Sequence, residues 1–524
     1  MSATVGSQLL TMSAVELARA IASGQISAVE AVEAHIARIE AVNSKLNAVV
    51  VKRYDEARSE AQAADERRAR GEPLGPLHGV PVTIKEALDV AGTPSTYGLP
   101  SRATTLAAED DLYVRRLREA GAIILGKTNV PQLLLYIESD NPLYGRANNP
   151  WNLERSTGGS SGGQAAIIAA GGSPLGLGTD IGGSIRVPSA FCGVVGMKPT
   201  AGRMPDFAAF GISLGQRAIV SQVGPLARTV DDVALALEII NGGRGPAVEP
   251  PMPLGDPEAV DIATLRVAYY TDDGILPPAR SVSRAVTEAA GFLAGRGAQV
   301  TEWRPPDVAR AADIFYGVLS ADGGRGAREF MGRDPRDPRI AQLVMLAGLP
   351  RPIIATASGA LKVLGQRSLA AVARNFGYKD TLRYWRLVEA QMEYQRRFQQ
   401  ALDSDDGGPF DVVICPAAAL PAIRHGDSRD LVTAGAYATL YNVLGYPTGI
   451  VPVSTVRPDE EQPRKRAGDV ALRAARRAEE GSAGLPLVAQ VVARPWREHV
   501  ALAAMRAIEE AVAARGGMPS PSAV

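Results

Sequence analysis

Histidine and cysteine are scarce in this chain of 524 residues, which has four of the first and two of the second. Two cysteines, Cys192 and Cys415, cannot build a disulfide framework or a four-cysteine zinc site. His35, His78, His425 and His499 lie far apart, with no HxH or HxxxH pair, so no metal site and no cofactor is expected. An excess of one charge is also missing. The 56 Lys+Arg balance 56 Asp+Glu, which argues against a nucleic-acid partner or a polybasic membrane binder. Long apolar runs are absent. The nearest, Ala341 to Leu364, is interrupted by Pro350, Arg351, Pro352 and Lys362, so no spanning helix is expected. Met1 to Leu10 has no basic stretch followed by an apolar one, which predicts no secretory signal and a cytoplasmic protein. What remains is 46% hydrophobic and 21% charged, the balance of a globular chain long enough to bury a large core without staples.

Residues 1–70 read as an N-terminal helical segment packed on a larger core. Ser13 with Glu16 and Ser27 with Glu30 form two capping boxes, and Val29, Val32, Ile36 and Ile39 recur at helical spacing. From residue 71 to 512 the pattern is that of one large domain. Gly79 to Lys85 and Ala122 to Lys127 read as strands, with a helix between them over 110–120. That order predicts an α/β fold: a large mixed, mostly parallel sheet with helices on both faces. Helices are expected over 230–241 and 379–402, and buried strands over 410–416 and 449–453. The segment 456–483 is charge-rich and reads as a solvated surface excursion with one short helix. The tail, 516–524, is expected to be flexible.

Residues 156–200 are dense in glycine, yet apolar residues such as Ala165 to Ala170 interrupt them, so this is no linker. Such glycines mark close backbone approach or positive φ. A phosphate loop would need Lys-Ser/Thr after its glycines, and a nucleophile elbow would need Gly on both sides of a serine; neither occurs. A third reading fits better. Gly182-Gly183-Ser184 offers a serine nucleophile whose oxyanion hole is made of consecutive backbone amides. Such a serine needs a base. No histidine is well placed. Lys85, at the end of an apolar strand, could serve if burial kept its amine neutral.

Taken together, Gly79 to Glu86, Gly158-Gly159-Ser160-Ser161-Gly162-Gly163, Asp180 to Arg186, Pro188 to Gly193 and Gly196 to Thr200 resemble the amidase signature hydrolases. The resemblance spans roughly residues 10–512. It is strongest to the fatty acid amide hydrolase branch, through Asn141 to Gly145, Ser173 to Gly178 and Leu440 to Leu444. It implies a Ser–Ser–Lys triad: Ser184 as nucleophile, Ser160 as the bridging serine, Lys85 as the base. It also implies a cis peptide before Ser160 and an oxyanion hole of the Ile181, Gly182, Gly183 and Ser184 amides. Leu134 would line the substrate side, and Thr179, Asp180, Arg186 and Ser161 would brace the loop. Cys192 is expected to be a small core residue. The implied activity is cleavage of carboxylic amide C–N bonds through an acyl-enzyme, with lipophilic acyl or aryl amides first and esters or carbamates behind them. Two alternatives stand beside it: the glutaminase subunit of a tRNA-dependent amidotransferase, and an arylamide or carbamate hydrolase. The expected partner is a small-molecule amide. The stretch 341–378 would form the substrate entrance. A homodimer follows from the resemblance, and stable membrane insertion does not, with peripheral association left open.

Overall fold

The runs Pro81–Lys85 and Ile123–Thr128 are buried at every residue in the computed structural model, as strands covered on both faces must be. The structure describes residues 8–204, 215–241, 252–466, 468–521 and 523–524. Of the segments discussed above, residues 1–7, 467 and 522 lie outside that description.

Among the described residues one large sheet dominates. In chain order its strands are β1 (Val49–Lys52), β2 (Pro81–Lys85), β3 (Ile123–Thr128), β4 (Leu175–Asp180), β5 (Val195–Lys198), β6 (Gln222–Ala227), β7 (Arg266–Tyr269), β8 (Gln299–Glu302), β9 (Val412–Cys415), β10 (Thr448–Thr455) and β11 (Pro486–Ala493). They lie side by side in the order β1-β3-β2-β4-β6-β5-β10-β11-β9-β7-β8. The inner strands β2, β3, β4, β6, β9 and β11 are buried throughout, so helices cover both faces. The edge strands β1 and β8 are short and partly exposed, and each ends on a charged residue, Lys52 or Glu302.

The α/β reading holds, but the sheet is not mostly parallel. β2 pairs parallel with β3 and β4, and β7 with β8 and β9. The other pairings, β1–β3, β4–β6, β6–β5, β5–β10, β10–β11 and β11–β9, are antiparallel. The strand–helix–strand unit at 79–127 was a true signal only for its own neighbourhood. Residues 456–485 join two antiparallel neighbours, a connection that strand patterning does not reveal.

Three segment expectations change as well. Residues 1–70 are not purely helical, because β1 extends the main sheet. Both capping boxes are present, and Val32, Ile36 and Ile39 are buried on helix Ala28–Leu46. The excursion 456–483 is docked rather than solvated. Its helix Val470–Glu479 buries Ala471, Ala474, Ala475 and Ala478, and Arg464 pairs with the buried Glu479 at 2.6 Å. The tail is docked too: Ala523 donates its N–H to the Pro150 carbonyl, and Met518 packs against the core.

Candidate active site

β2 and β4 are parallel neighbours, so their C-terminal ends meet at one edge of the sheet. β2 ends on Lys85, whose side chain is completely buried. β4 ends on Thr179 and Asp180. Between them sits the turn 158–161, which leads into helix Gly162–Ala169. Lys85 Nζ lies 2.7 Å from Ser160 Oγ, 2.7 Å from Thr179 Oγ1 and 3.5 Å from the Thr179 carbonyl. Ser160 is buried, and the Gly159–Ser160 peptide is cis, as the resemblance implied. The glycine before it is obligatory for space: a Cβ on Gly159 would come within 2.7 Å of the Tyr136 carbonyl and 2.9 Å of the Glu138 amide.

Ser161 donates its N–H to the Ser184 carbonyl at 3.0 Å, tying the Ser160 turn to the Ser184 loop. Ser184 itself is half-buried and lines a cavity. The loop is shaped by the Asp180 carboxylate. It accepts the Gly183 amide at 2.9 Å and the Ile185 amide at 3.1 Å, the residues either side of Ser184. It also takes a bidentate pair from Arg186, Nε at 3.0 Å and Nη2 at 2.9 Å. Both side chains are fully buried. Such a pair is tolerated only when every remaining polar atom is satisfied. Here Arg186 Nη1 donates to the Ala438 carbonyl and Gln490 Oε1, and Asn442 Nδ2 donates to Asp180 Oδ1. Burial alone would raise the Asp180 pKa, but the Arg186 charge and the hydrogen bonds from Arg186 and Asn442 hold it well below the usual carboxylate range.

One of the expected oxyanion donors has a partner within the loop. The Gly183 amide is committed to Asp180, and Gly183 is not part of the cavity wall, whereas Ile181, Gly182 and Ser184 are. Gly183 holds this turn at φ +104°.

Leu134 reaches the cavity through a strained loop. Leu133, Leu134 and Tyr136 all have positive φ, at 57°, 59° and 73°. Non-glycine residues hold that conformation only where their surroundings impose it. The Leu133 amide donates to the Tyr97 carbonyl, and the buried Glu138 carboxylate accepts the Gly426 and Ser428 amides. No glycine marks this left-handed backbone in the sequence; of these residues only Leu134 is expected at the site, by resemblance. Asn442, Gln490 and Glu138 were also missed as partners, since their roles come from contacts far along the chain.

The cavity has a volume of about 450 Å³, within the range of small-molecule sites. Phe315, Leu319, Leu343, Val344 and Phe376 give it an apolar wall away from Ser184. Leu343, Val344 and Phe376 belong to the stretch 341–378 expected at the entrance. Among the described residues Asp322 is the one charged side chain in that wall, and its carboxylate is occupied by the Gly324 and Gly326 amides at 2.7 Å each.

The remaining nucleophile and base candidates are engaged elsewhere. Cys192 is buried, its thiol pKa pushed far up by burial, and its Sγ faces the Thr157 carbonyl. His35, His78 and His425 bond to the carbonyls of Ala31, Ala64 and Leu153. Among the described residues no cluster of three or more His, Cys, Asp or Glu side chains is arranged to hold a metal ion.

Comparison with known proteins adds the following. The amidase family model matches residues 30–502. The fatty-acid amide hydrolase 1 of Sus scrofa is 34% identical over 523 residues, covering 98% of this chain and 87% of the relative. The indoleacetamide hydrolase of Bradyrhizobium diazoefficiens is 45% identical over 303 residues, covering 56% of this chain and 57% of the relative. A solved structure of fatty acid amide hydrolase superposes with a TM-score of 0.83 at 25% identity, covering 96% of this chain and 86% of that one.

Proposed function

The chain belongs to the amidase family and is an amide-hydrolysing enzyme, and from that premise we propose that Ser184, Ser160 and Lys85 perform the hydrolysis through an acyl-enzyme. The observation that carries this reading is the buried Lys85 amine 2.7 Å from Ser160 Oγ, in a turn bonded to the Ser184 loop. In the neutral amine, two N–H groups point to Thr179 Oγ1 and the Thr179 carbonyl, and the lone pair receives the Ser160 proton. Ser160 in turn takes the proton of Ser184 as Ser184 Oγ attacks the acyl carbon. The Ile181, Gly182 and Ser184 amides hold the oxyanion. The proton returns along the same path to the leaving amine as the C–N bond breaks. Water then attacks the acyl-enzyme by the same relay, releasing the acid and restoring Ser184.

The cavity favours a neutral, apolar acyl or aryl group. A free amino acid such as glutamine carries a carboxylate and an ammonium, and among the described residues the far wall offers no cation to meet the former. The names of the two relatives, for a fatty-acid amide and for indoleacetamide, point the same way. Helix Pro338–Ala347 lines the cavity through Leu343, Val344 and Ala347, and helix Arg351–Val363 follows it with a bend of 115°. No single helix among the described residues is long and apolar enough to cross a membrane. The exposed Met345, Ile353, Val363 and Leu364 suit peripheral contact with a lipid surface from which such substrates would be drawn. Cytoplasmic location and a homodimer complete the proposal.

The deciding experiment is hydrolysis of acyl p-nitroanilides from acetyl to long-chain by the purified chain, with Ser184→Ala as control. Turnover that rises with acyl length and vanishes in the variant is expected. Turnover only with short acyl or aryl groups would replace the lipophilic reading with an arylamide one. Activity that appears only with added partner subunits would favour the amidotransferase role.

A further inference from the structure

Helix Ala436–Leu444 is buried at all of its residues, and its inward face has two neighbours. Gly435, Ala438, Thr439 and Asn442 fall at i, i+3, i+4 and i+7, one stripe of a helix. Gly435 and Thr439 line the cavity. Ala438 and Asn442 meet the Ser184 loop instead. Arg186 Nη1 donates to the Ala438 carbonyl at 2.7 Å, and a Cβ on Gly183 would come within 2.8 Å of the Ala438 Cβ. Arg186 Nη2 donates to Asn442 Oδ1 at 2.6 Å, and Asn442 Nδ2 donates to Asp180 Oδ1 at 3.0 Å.

One side chain thus accepts from the cation and donates to the anion of the same buried pair. A carboxamide carries both functions on one rigid plane; an ionised carboxylate or an alkyl group does not. Its orientation is fixed by these partners, because the flipped amide would set N–H against guanidinium and oxygen against carboxylate. Asp180 in turn grips the amides on both sides of Ser184.

We infer that Asn442 is a positioning residue for the hydrolysis: through Asp180 and Arg186 it fixes the backbone around Ser184, and its helix holds the acyl wall in the same frame. The inference rests on Ser184 being the nucleophile. It acts through other residues and touches no reacting atom, so its signature is a loss of turnover without a loss of binding.

The test compares wild type, Ser184→Ala, Asn442→Ala and the isosteric Asn442→Asp. Three quantities are read: kcat and KM on short and long acyl p-nitroanilides, the rate of covalent labelling by a small alkyl fluorophosphonate, and the thermal midpoint. Turnover is expressed per active site titrated by the fluorophosphonate at completion. Asn442→Ala is expected to lower kcat and labelling rate together by about 10- to 100-fold, the loss of hydrogen bonds to two charged groups. KM should stay within about threefold. Asn442→Asp, of equal volume but unable to donate to Asp180 when ionised, should fall at least as far. If both variants melt earlier yet keep kcat and labelling within about threefold of wild type, Asn442 is structural only and the inference fails. A raised KM at constant kcat also overturns it. Should Asn442→Ala fail to fold, Asn442→Asp decides alone. Turnover retained by Ser184→Ala would instead overturn the nucleophile assignment, an outcome the Asn442 variants cannot mimic.

Discussion

The side chains of Asp180 and Arg186 have no solvent exposure, whereas Val363 and Leu364 are 88% and 71% exposed. Each region inverts the ordinary burial rule, in opposite directions. At the Ser184 loop the inversion is internally balanced. The carboxylate is held by Arg186, Asn442 and the amides of Gly183 and Ile185, and the guanidinium by Asp180, Asn442, Gln490 and a carbonyl. On helices Pro338–Ala347 and Arg351–Val363 the exposed side chains find no such balance within the described residues. The first region is closed on itself; for the second, the proposed function assigns the missing neighbour to lipid. A substitution should therefore act on chemistry and stability at the loop, and on surface attachment at the helices.

The largest expected effect is Lys85→Ala. Without its base the relay should lose several orders of magnitude in kcat/KM on an acyl anilide, about 10⁴-fold by analogy with other nucleophile–base pairs; a drop below tenfold would remove Lys85 from the relay. Next is Arg186→Leu. It leaves the Asp180 charge buried and half-paired, so urea unfolding should show a loss of about 3–5 kcal/mol. This difference has a definite pH dependence. The Asp180 pKa is lowered in the folded state, so the pair's contribution is complete above the unfolded carboxylate value of about 4 and is lost as pH falls through the folded value. The gap between wild type and Arg186→Leu should therefore be widest at about pH 8 and narrow as pH falls, because without the Arg186 charge burial raises the Asp180 pKa and protonation relieves the variant first. A gap that stays constant from about pH 8 to 4 would mean that Asp180 is not the charge being compensated.

The smallest effect on the fold is expected from Val363→Glu with Leu364→Glu. Stability should change by less than about 0.5 kcal/mol per substitution, and turnover of a short soluble anilide should be unaltered. Co-sedimentation with phosphatidylcholine vesicles should weaken, and the rate on a long-chain amide presented in those vesicles should fall with it. Unchanged sedimentation would dissolve the contrast between the two regions, leaving the outer helices with another partner or none.

Much of the loop half of this contrast was legible before any coordinates. Lys85, Ser160, Ser184, Asp180 and Arg186 lie in short motifs whose glycines and hydroxyls have few structural explanations. Their partners were not legible. Asn442 and Gln490 sit more than 250 residues from Arg186, in runs whose local pattern reads only as buried helix and strand. Leu133, Leu134 and Tyr136 adopt left-handed backbone without glycine, so composition gives no warning. The excursion's docking is carried by the helical spacing of Ala471, Ala474, Ala475 and Ala478, a signal outweighed in composition by the surrounding arginines and glutamates. The parallel direction of one local strand–helix–strand unit does not carry over to a sheet whose later neighbours pair antiparallel.

The cavity's far wall has a genealogy of its own. Phe315, Leu319, Leu343, Val344, Phe376 and Tyr384 all come from the stretch between β8 and β9. That stretch leaves the sheet at its edge strand and returns two strands in, next to β7. The groups assigned to the chemistry come from residues 85–186. Appetite for a new acyl group can thus evolve, or be transplanted from a cousin, by exchanging one contiguous cassette while the bond-breaking half of the gene is inherited untouched.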